Sequence, residues 1–123
     1  MILKKLTLWI FLIYLLSLLI SCSKLIKNQN EAPTSPIVNS VTVGDTQITF
    51  SWENTSDINF EKTVILQSTI LNLEYDQWKT IYEGQGTTFT DTDLLNNTTY
   101  YYAFYSVNST GSQSSYIYHV IYK

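Results

Sequence analysis

Side chains that could do covalent, metal-binding or redox chemistry are scarce in this sequence of 123 residues. It contains a single cysteine, Cys22, and a single histidine, His119. One cysteine excludes an internal disulfide, and one cysteine with one histidine does not supply the usual ligand set of a transition metal. The sequence therefore predicts no metal site and no cofactor, and it leaves Cys22 as the residue most suited to covalent modification.

The remaining candidates for catalysis or ion binding have simpler interpretations. His119 would need a nucleophile or a second base beside it, and the last predicted strand offers neither, so we interpret it as an edge or surface residue. Asp91 and Asp93, with Asp57 and Asp76, could be imagined as a calcium site. Aspartates at strand ends commonly serve turns, however, and Ca²⁺ needs about six or more oxygen ligands. We therefore expect neither calcium binding nor enzymatic activity.

The segment before Cys22 has the layout of an export signal. Met1 to Lys5 contains two lysines, and Leu6 to Ile20 is apolar apart from a few scattered polar residues. The apolar run is about 15 residues long, whereas a membrane-spanning helix prefers about 20. A secretory signal is therefore favoured over a permanent transmembrane anchor, which remains the weaker alternative.

The residues around the cysteine resemble the bacterial lipobox. Leu19, Ile20 and Ser21 place a branched apolar residue at −3 and a small residue at −1 directly before Cys22. The resemblance implies that Cys22 is lipidated, becomes the new N-terminus and holds the protein at a membrane of the cell envelope, since each buried acyl CH₂ contributes about 0.8 kcal/mol. Ser23 at +2 implies the outer membrane if the cell is Gram-negative. A plain secretory signal with a chance cysteine is the alternative.

The segment after the cysteine is predicted to be a tether. Lys24 to Pro36 is mostly polar, contains both prolines and shows neither helical nor strand periodicity. Stretched out, it would span at most about 40 Å. We divide the chain into a signal peptide at residues 1–21, a lipidated cysteine with a flexible tether at 22–35, and a domain at 36–123.

The charge of the mature chain restricts its partners. Removing the signal peptide takes away two of the seven basic residues and leaves five against ten acidic ones, a formal net charge of −5. A nucleic-acid partner is excluded because phosphate neutralisation needs a basic face. Electrostatic attraction to anionic lipid is also disfavoured as the main membrane anchor.

Short β-like runs at regular spacing, separated by turn residues, predict an antiparallel β-sandwich. The clearest alternation places Ile48, Phe50 and Trp52 on one face of the second strand. In the third strand we expect Val64 and Leu66 to face the core with Phe60, although a one-residue slip or a bulge would substitute Ile65. The predicted strands span residues 37–43, 47–53, 60–69, 76–82, 87–90, 98–107 and 115–122.

The sixth strand is the most aromatic part of the chain. Alternation places Tyr100, Tyr102 and Phe104 on one face, and Tyr101 and Tyr105 on the other. Because both faces are apolar, we expect this strand to lie in the middle of a sheet, with Tyr102 and Phe104 opposite the second strand.

Residues Pro36 to Tyr122 resemble a fibronectin type III domain. Trp52 matches the family's tryptophan near the end of the second strand. Leu94, Thr98 and Tyr100 match the signature before the sixth strand, with Asn-Asn in place of the usual Pro-Gly. The resemblance implies an all-β, seven-stranded antiparallel immunoglobulin-like sandwich. It also implies that Tyr100 is the corner tyrosine, whose hydroxyl bonds to backbone a few residues upstream.

The resemblance also implies that the third, fourth, sixth and seventh strands share one sheet. Aromatic side chains would then form an outward face on that sheet, which we take as the candidate binding face. Either Tyr116 and Tyr118 or Ile117 and His119 would join it, depending on the register of the last strand. The residues assigned to the face are Tyr101, Tyr105, Trp78 and Tyr82.

Exposed tyrosine and tryptophan bring large contact area at small entropic cost, which suits protein contacts or stacking on sugars. The functional hypothesis is a membrane-anchored surface lipoprotein whose domain is a non-catalytic protein-binding or adhesion module. The alternative is a carbohydrate-binding accessory lipoprotein of a polysaccharide-degrading system. Cross-strand tyrosine pairs that merely stabilise the sheet are the simplest explanation of the pattern.

Overall fold

A computed structural model of the chain describes residues 7–17 and 31–123. Residues 7–17 are helical, and no helix within the described residues is long and apolar enough to cross a membrane. Cys22 and the lipobox residues Leu19, Ile20 and Ser21 lie outside the described residues, so the lipidation site stays a prediction. Residues 32–123 form a compact unit of their own.

This unit is a sandwich of two antiparallel sheets, which confirms the predicted fold class. One sheet has three strands in the order β1-β2-β5, and the other has four in the order β4-β3-β6-β7. The strands are β1 Ile37–Gly44, β2 Gln47–Glu53, β3 Phe60–Ser68, β4 Lys79–Gly84, β5 Thr88–Asp91, β6 Thr99–Asn108 and β7 Ile117–Tyr122.

The main core lies between the two sheets and follows the alternation of β2 and β6. Trp52 and Phe50 are buried on β2, and their rings meet Phe104 edge-on at centroid distances of 5.9 and 5.2 Å. Phe50 also contacts Tyr102 at 4.7 Å. These contacts are those expected when alternate residues on the inner faces of two sheets meet across a sandwich.

The predicted orientation of β3 was wrong by one residue. Ile65 packs in the main core, whereas Val64 and Leu66 lie on the outer side of the four-stranded sheet with Ala103. The cause is a β-bulge, because the pairing with β6 shifts between Phe60 and Lys62 and reverses the faces of all later residues. Residues of the central strands β3 and β6 are consequently buried on both sides of the four-stranded sheet.

The turn before β6 has the geometry of a tyrosine corner. The backbone N–H of Leu95 donates to the Tyr100 hydroxyl at 2.8 Å, and Leu94 is buried in the main core. Asn97 adopts a left-handed backbone with φ of 59°, a conformation that asparagine tolerates better than most residues. The Asn-Asn pair thus makes the turn that Pro-Gly would otherwise make.

The chain docks onto the domain before the first strand. Pro33 and Pro36 are buried, and the backbone N–H of Thr34 donates to Asp57 Oδ2 at 2.6 Å. This hydrogen bond is the main reason why the pKa of Asp57 is lowered below its ordinary value of 3.8. The contacts of the domain therefore begin at Pro33, ahead of the predicted boundary at residue 36.

Candidate functional site

The candidate site is the outer surface of the four-stranded sheet, where six aromatic side chains collect. The floor of this surface is an apolar cluster of residues from β3, β6 and the segment before β4. Ala103 supplies a small, fully buried residue at its centre, so that larger rings can pack over the strand. We call this surface the outer aromatic face, and its members are Tyr75, Trp78, Tyr101, Tyr105, Tyr116 and Tyr118.

A short 3₁₀ turn, Tyr75–Gln77, brings two of these rings over the sheet. Trp78 follows the turn directly, is 8% exposed, and donates from its indole Nε1 to the Leu73 carbonyl at 3.1 Å. Its ring lies 5.3 Å from Tyr75 and 6.5 Å from Tyr101. Trp78 therefore belongs mainly to the floor, while Tyr75 lies above it.

The register of β7 decides which of its side chains join the face. Tyr116 and Tyr118 lie outward, and Ile117 packs against the main core. Tyr75 stacks on Tyr116 at a centroid distance of 4.2 Å and lies 5.7 Å from Tyr118. Tyr105 meets Tyr116 edge-on at 5.1 Å. The rings therefore hold one another in place, which limits the conformational freedom that binding would remove.

His119 lies on the edge strand β7, which confirms the edge alternative of its interpretation, but its ring faces the interior and not the surface. Its ring meets Phe104 edge-on at 5.8 Å, and burial lowers its pKa below 6.5. Its Nε2 is buried and has no hydrogen-bond partner among the described residues. His119 thus behaves as a half-buried packing residue on the inner side of β7.

Tyr82 was wrongly assigned to the binding face. Ile65 pairs with Tyr82 and Leu66 with Thr80, so Ile81 is an extra residue in β4. This bulge turns Tyr82 inward, where its ring meets Trp52 at 5.2 Å. Without the bulge, alternation from Trp78 would place Tyr82 on the outer side of the sheet together with Trp78.

A shallow concavity of about 330 Å³ opens beside the tyrosines. Its walls combine ring surfaces with a carboxylate from Asp76, an amide from Gln113 and a hydroxyl from Thr80. Such a mixture of aromatic and hydrogen-bonding groups is typical of ligand sites. The other lining residues are Leu66, Tyr75, Trp78, Tyr105 and Tyr116.

Two phenols of the outer aromatic face, Tyr75 and Tyr105, are uncharged at neutral pH, and Asp76 places a carboxylate in the concavity beside them. Burial raises the pKa values of Tyr75 and Tyr105 above 10, so both phenols keep their protons at neutral pH. Lys62 and Glu83 form an ion pair at 2.7 Å, and the hydrogen bond to Glu83 raises the pKa of Lys62. Lys62 lies on β3 and Glu83 on β4, so the ion pair connects two neighbouring strands of the four-stranded sheet.

Asp91 has a structural role within the sandwich. Its Oδ2 accepts hydrogen bonds from the Tyr102 hydroxyl at 2.8 Å and from Gln67 Nε2 at 2.7 Å. No group of three or more potential metal ligands occurs among residues 7–17 and 31–123. Burial, and then the hydrogen bond to Asp91, raise the pKa of Tyr102 above its ordinary value.

Tyr75, Thr80 and Gln113 are site residues that the sequence pattern did not identify. Tyr75 precedes the predicted fourth strand and takes its position from the 3₁₀ turn. Gln113 follows β6 and makes an isolated bridge to Val107. A 3₁₀ turn of three residues is too short to produce a hydrophobic period in the sequence. The abundance of aromatic residues was therefore the one sequence feature that indicated a site on this part of the sheet.

No known family model and no curated protein sequence matches the chain. Solved structures resemble it in fold. A fourth FNIII domain from human has a TM-score of 0.62 at 18% identity, over 76% of this chain and 80% of that one. An Fn3-like protein from Clostridium thermocellum has a TM-score of 0.59 at 20% identity, over 76% and 96%. A β-1,2-glucanase from Parabacteroides distasonis has a TM-score of 0.56 at 13% identity, over 76% and 13%. The chain thus carries a domain with the fibronectin type III fold.

Proposed function

We propose that this chain is a membrane-anchored surface lipoprotein whose fibronectin type III domain is a non-catalytic module for protein binding or adhesion. The observation that carries the proposal is the outer aromatic face, in which six rings collect on one side of a sheet. The lipobox resemblance at Cys22 supports the anchor. The sequence offers no nucleophile or second base that can be placed beside His119, and this supports a role without catalysis.

The face has the physical properties of a contact surface. Tyr118 is 49% exposed, and Tyr75, Tyr105 and Tyr116 are half-buried, so each ring keeps accessible area. Tyrosine and tryptophan dominate binding energy at many interfaces because they combine large area with few rotatable bonds. The uncharged phenols of Tyr75 and Tyr105 also fit the depletion of charge in interface cores.

A glycan partner is the second candidate, and the concavity favours it. Asp76, Gln113 and Thr80 supply acceptors and donors beside ring faces, a combination that can bind sugar hydroxyls while a ring stacks on the pyranose. The structural likeness to part of a β-1,2-glucanase is compatible with an accessory role beside a polysaccharide-degrading enzyme. Under this alternative the domain would hold the lipoprotein against a polysaccharide.

The binding proposal is tested with residues 32–123, which contain both apolar clusters and all seven strands. The wild type, Tyr75→Ala and Tyr118→Ala are compared on immobilised envelope proteins and on a glycan array. Ile58→Ala is the matched control, because Ile58 is 92% exposed and absent from the face. We expect about tenfold weaker protein binding for each tyrosine variant and no change for the control.

Three results would redirect the proposal. Loss of glycan binding in the tyrosine variants, without any protein ligand, would select the carbohydrate alternative. Tyrosine variants that bind like the wild type but have a lower free energy of unfolding would assign the rings to sheet stability alone. Turnover of a substrate that disappears in His119→Ala would reintroduce an enzymatic role.

The anchor is tested separately in the full-length chain. Wild type and Cys22→Ser are expressed in a bacterial host and followed by acyl labelling, signal-peptide processing and membrane fractionation. We expect the variant to lose the acyl label and to leave the membrane fraction. A variant that keeps both properties would refute lipidation at Cys22.

A further inference from the structure

The two sheets present four edge strands, and three of them are protected against pairing with another chain. β1 contains a bulge between Val38 and Ser40. β5 has only four residues and ends at Asp91. β4 contains a bulge and carries the charged residues Lys79 and Glu83. Bulges, charges and short length are the usual means by which proteins prevent sheets from joining at their edges.

The fourth edge, β7, has none of these features. Its sequence, Ile-Tyr-His-Val-Ile-Tyr, contains no proline and no residue charged at neutral pH, and its pairing with β6 runs without a bulge. Tyr118, Val120 and Tyr122 are 49%, 64% and 69% exposed. A regular, apolar edge of this kind is a template for another strand.

The backbone of β7 is oriented for such pairing. The Lys123 N–H donates to the Thr98 carbonyl at 3.1 Å, toward β6. Because backbone direction alternates along a strand, Ile121 and the other odd-numbered residues of β7 also bond to β6. The N–H and C=O groups of Tyr118, Val120 and Tyr122 therefore point to the free edge.

We propose that β7 is a homodimer edge, where two copies of this chain pair β7 with β7 in antiparallel orientation. The pairing would join the two four-stranded sheets into one sheet of eight strands. Because opposite residues must lie on the same face, Val120 faces Tyr118, Val120 or Tyr122 of the second copy. The outer face then receives pairs of aromatic and β-branched residues, which favour antiparallel association.

A second copy fits this edge better than a foreign strand. Two-fold pairing centred on Val120 places Val120 opposite Val120 and Tyr118 opposite Tyr122, so the strand is complementary to its own copy on the outer face. An edge that selects a different protein needs charged or distinctively shaped side chains that exclude other strands. β7 has no charged side chain within Ile117–Tyr122 that could do so. The dimer edge shares Tyr118 with the outer aromatic face, whereas Val120 lies outside that face and can be varied without changing any of its six rings.

The test is sedimentation velocity of residues 32–123 across about 10 µM to about 1 mM, the range expected for a small interface. The full-length chain is examined in density-matched detergent. Val120→Lys adds a charge to the edge, and Val120→Pro removes an outward N–H without removing a bond to β6. Val120→Thr keeps a β-branched residue, and Val43→Lys places the same charge on β1, where Val43 is 51% exposed.

We expect a concentration-dependent dimer that Val120→Lys and Val120→Pro weaken at least about tenfold, while Val120→Thr and Val43→Lys leave it unchanged. Thermal unfolding checks that each variant is folded. If Val120→Pro does not fold, Val120→Lys alone tests the dimer edge. A monomer at every concentration would overturn the proposal. So would a dimer that tolerates Val120→Lys, or one that Val43→Lys disrupts equally.

Discussion

The hydrogen bonds of Asp91 connect the two sheets, and their removal tests the role assigned to this buried carboxylate. Asp91 lies on β5 of the three-stranded sheet, whereas its partners Tyr102 and Gln67 lie on β6 and β3 of the other. Tyr102→Phe deletes one donor and keeps the ring that Phe50 contacts at 4.7 Å. A hydrogen bond to a charged group contributes about 1.5–3 kcal/mol, so we expect the free energy of unfolding to fall by that amount.

The measurement is a double-mutant cycle in urea with Asp91→Asn, Tyr102→Phe and the combined variant. A loss of about 2 kcal/mol corresponds to a drop in Tm of about 8–16 °C for a domain of this size. The two substitutions share one hydrogen bond, so we expect a coupling energy of about 1 kcal/mol or more. Thr42→Ala, on β1 of the same sheet and exposed, is the control and should change stability by less than about 0.5 kcal/mol. Additivity within about 0.5 kcal/mol would refute the bridging role.

The hydrogen bond between Tyr102 and Asp91 should also change how the free energy of unfolding depends on pH in alkaline solution. Burial and the Asp91 hydrogen bond raise the pKa of Tyr102 above 10.0, so the folded state binds a proton that the unfolded state releases. The resulting stability is fully present below pH 10 and is lost as the pH rises further. Tyr102→Phe should remove this part of the alkaline decrease, and an unchanged profile would contradict the assignment.

Three further predictions concern Thr46 in the turn between β1 and β2, Asp57 beside the docked segment, and His119. Thr46 has φ of 53°, which is unfavourable for a β-branched residue, so Thr46→Asn should raise the free energy of unfolding by about 0.5–1 kcal/mol in urea titrations. The lowered pKa of Asp57 gives stability that is present above pH 3.8 and is lost as the pH falls further, and acid titration of Asp57→Asn should show a smaller loss. Burial lowers the pKa of His119, so stability should decrease as the pH falls below 6.5, and this decrease should be absent in His119→Gln.

The parts of the fold that could be predicted are those where strict alternation persists. In β2 the apolar residues recur every second position without interruption, so Phe50 and Trp52 were assigned correctly to the core. In β6 both faces are apolar, and the expected corner role of Tyr100 selected Tyr102 and Phe104 as the inner residues. Alternation is a property of the strand itself and can therefore be read without knowing its neighbours. The turn before β6 was also predictable, because its asparagines report a local backbone requirement.

The errors in β3 and β4 have one physical cause, which is the insertion of an extra residue into a strand. The bulge between Phe60 and Lys62 reversed the faces of Val64 and Ile65, and the bulge at Ile81 reversed Tyr82. A bulge is defined by how two strands pair, and the sequence of one strand does not contain that pairing. The face of a residue beyond a bulge is thus set by tertiary structure.

The depth of each ring in the outer aromatic face determines what its substitution can reveal. Trp78 is 8% exposed and packs on the apolar floor, so Trp78→Ala would leave a cavity and cost about 3–5 kcal/mol of stability. A loss of binding in that variant would not separate recognition from folding. Tyr118 is 49% exposed on an edge strand, so its removal changes the available surface while most of the floor stays intact. Recognition by this sheet is therefore best measured at its rim, where binding and stability depend on different contacts.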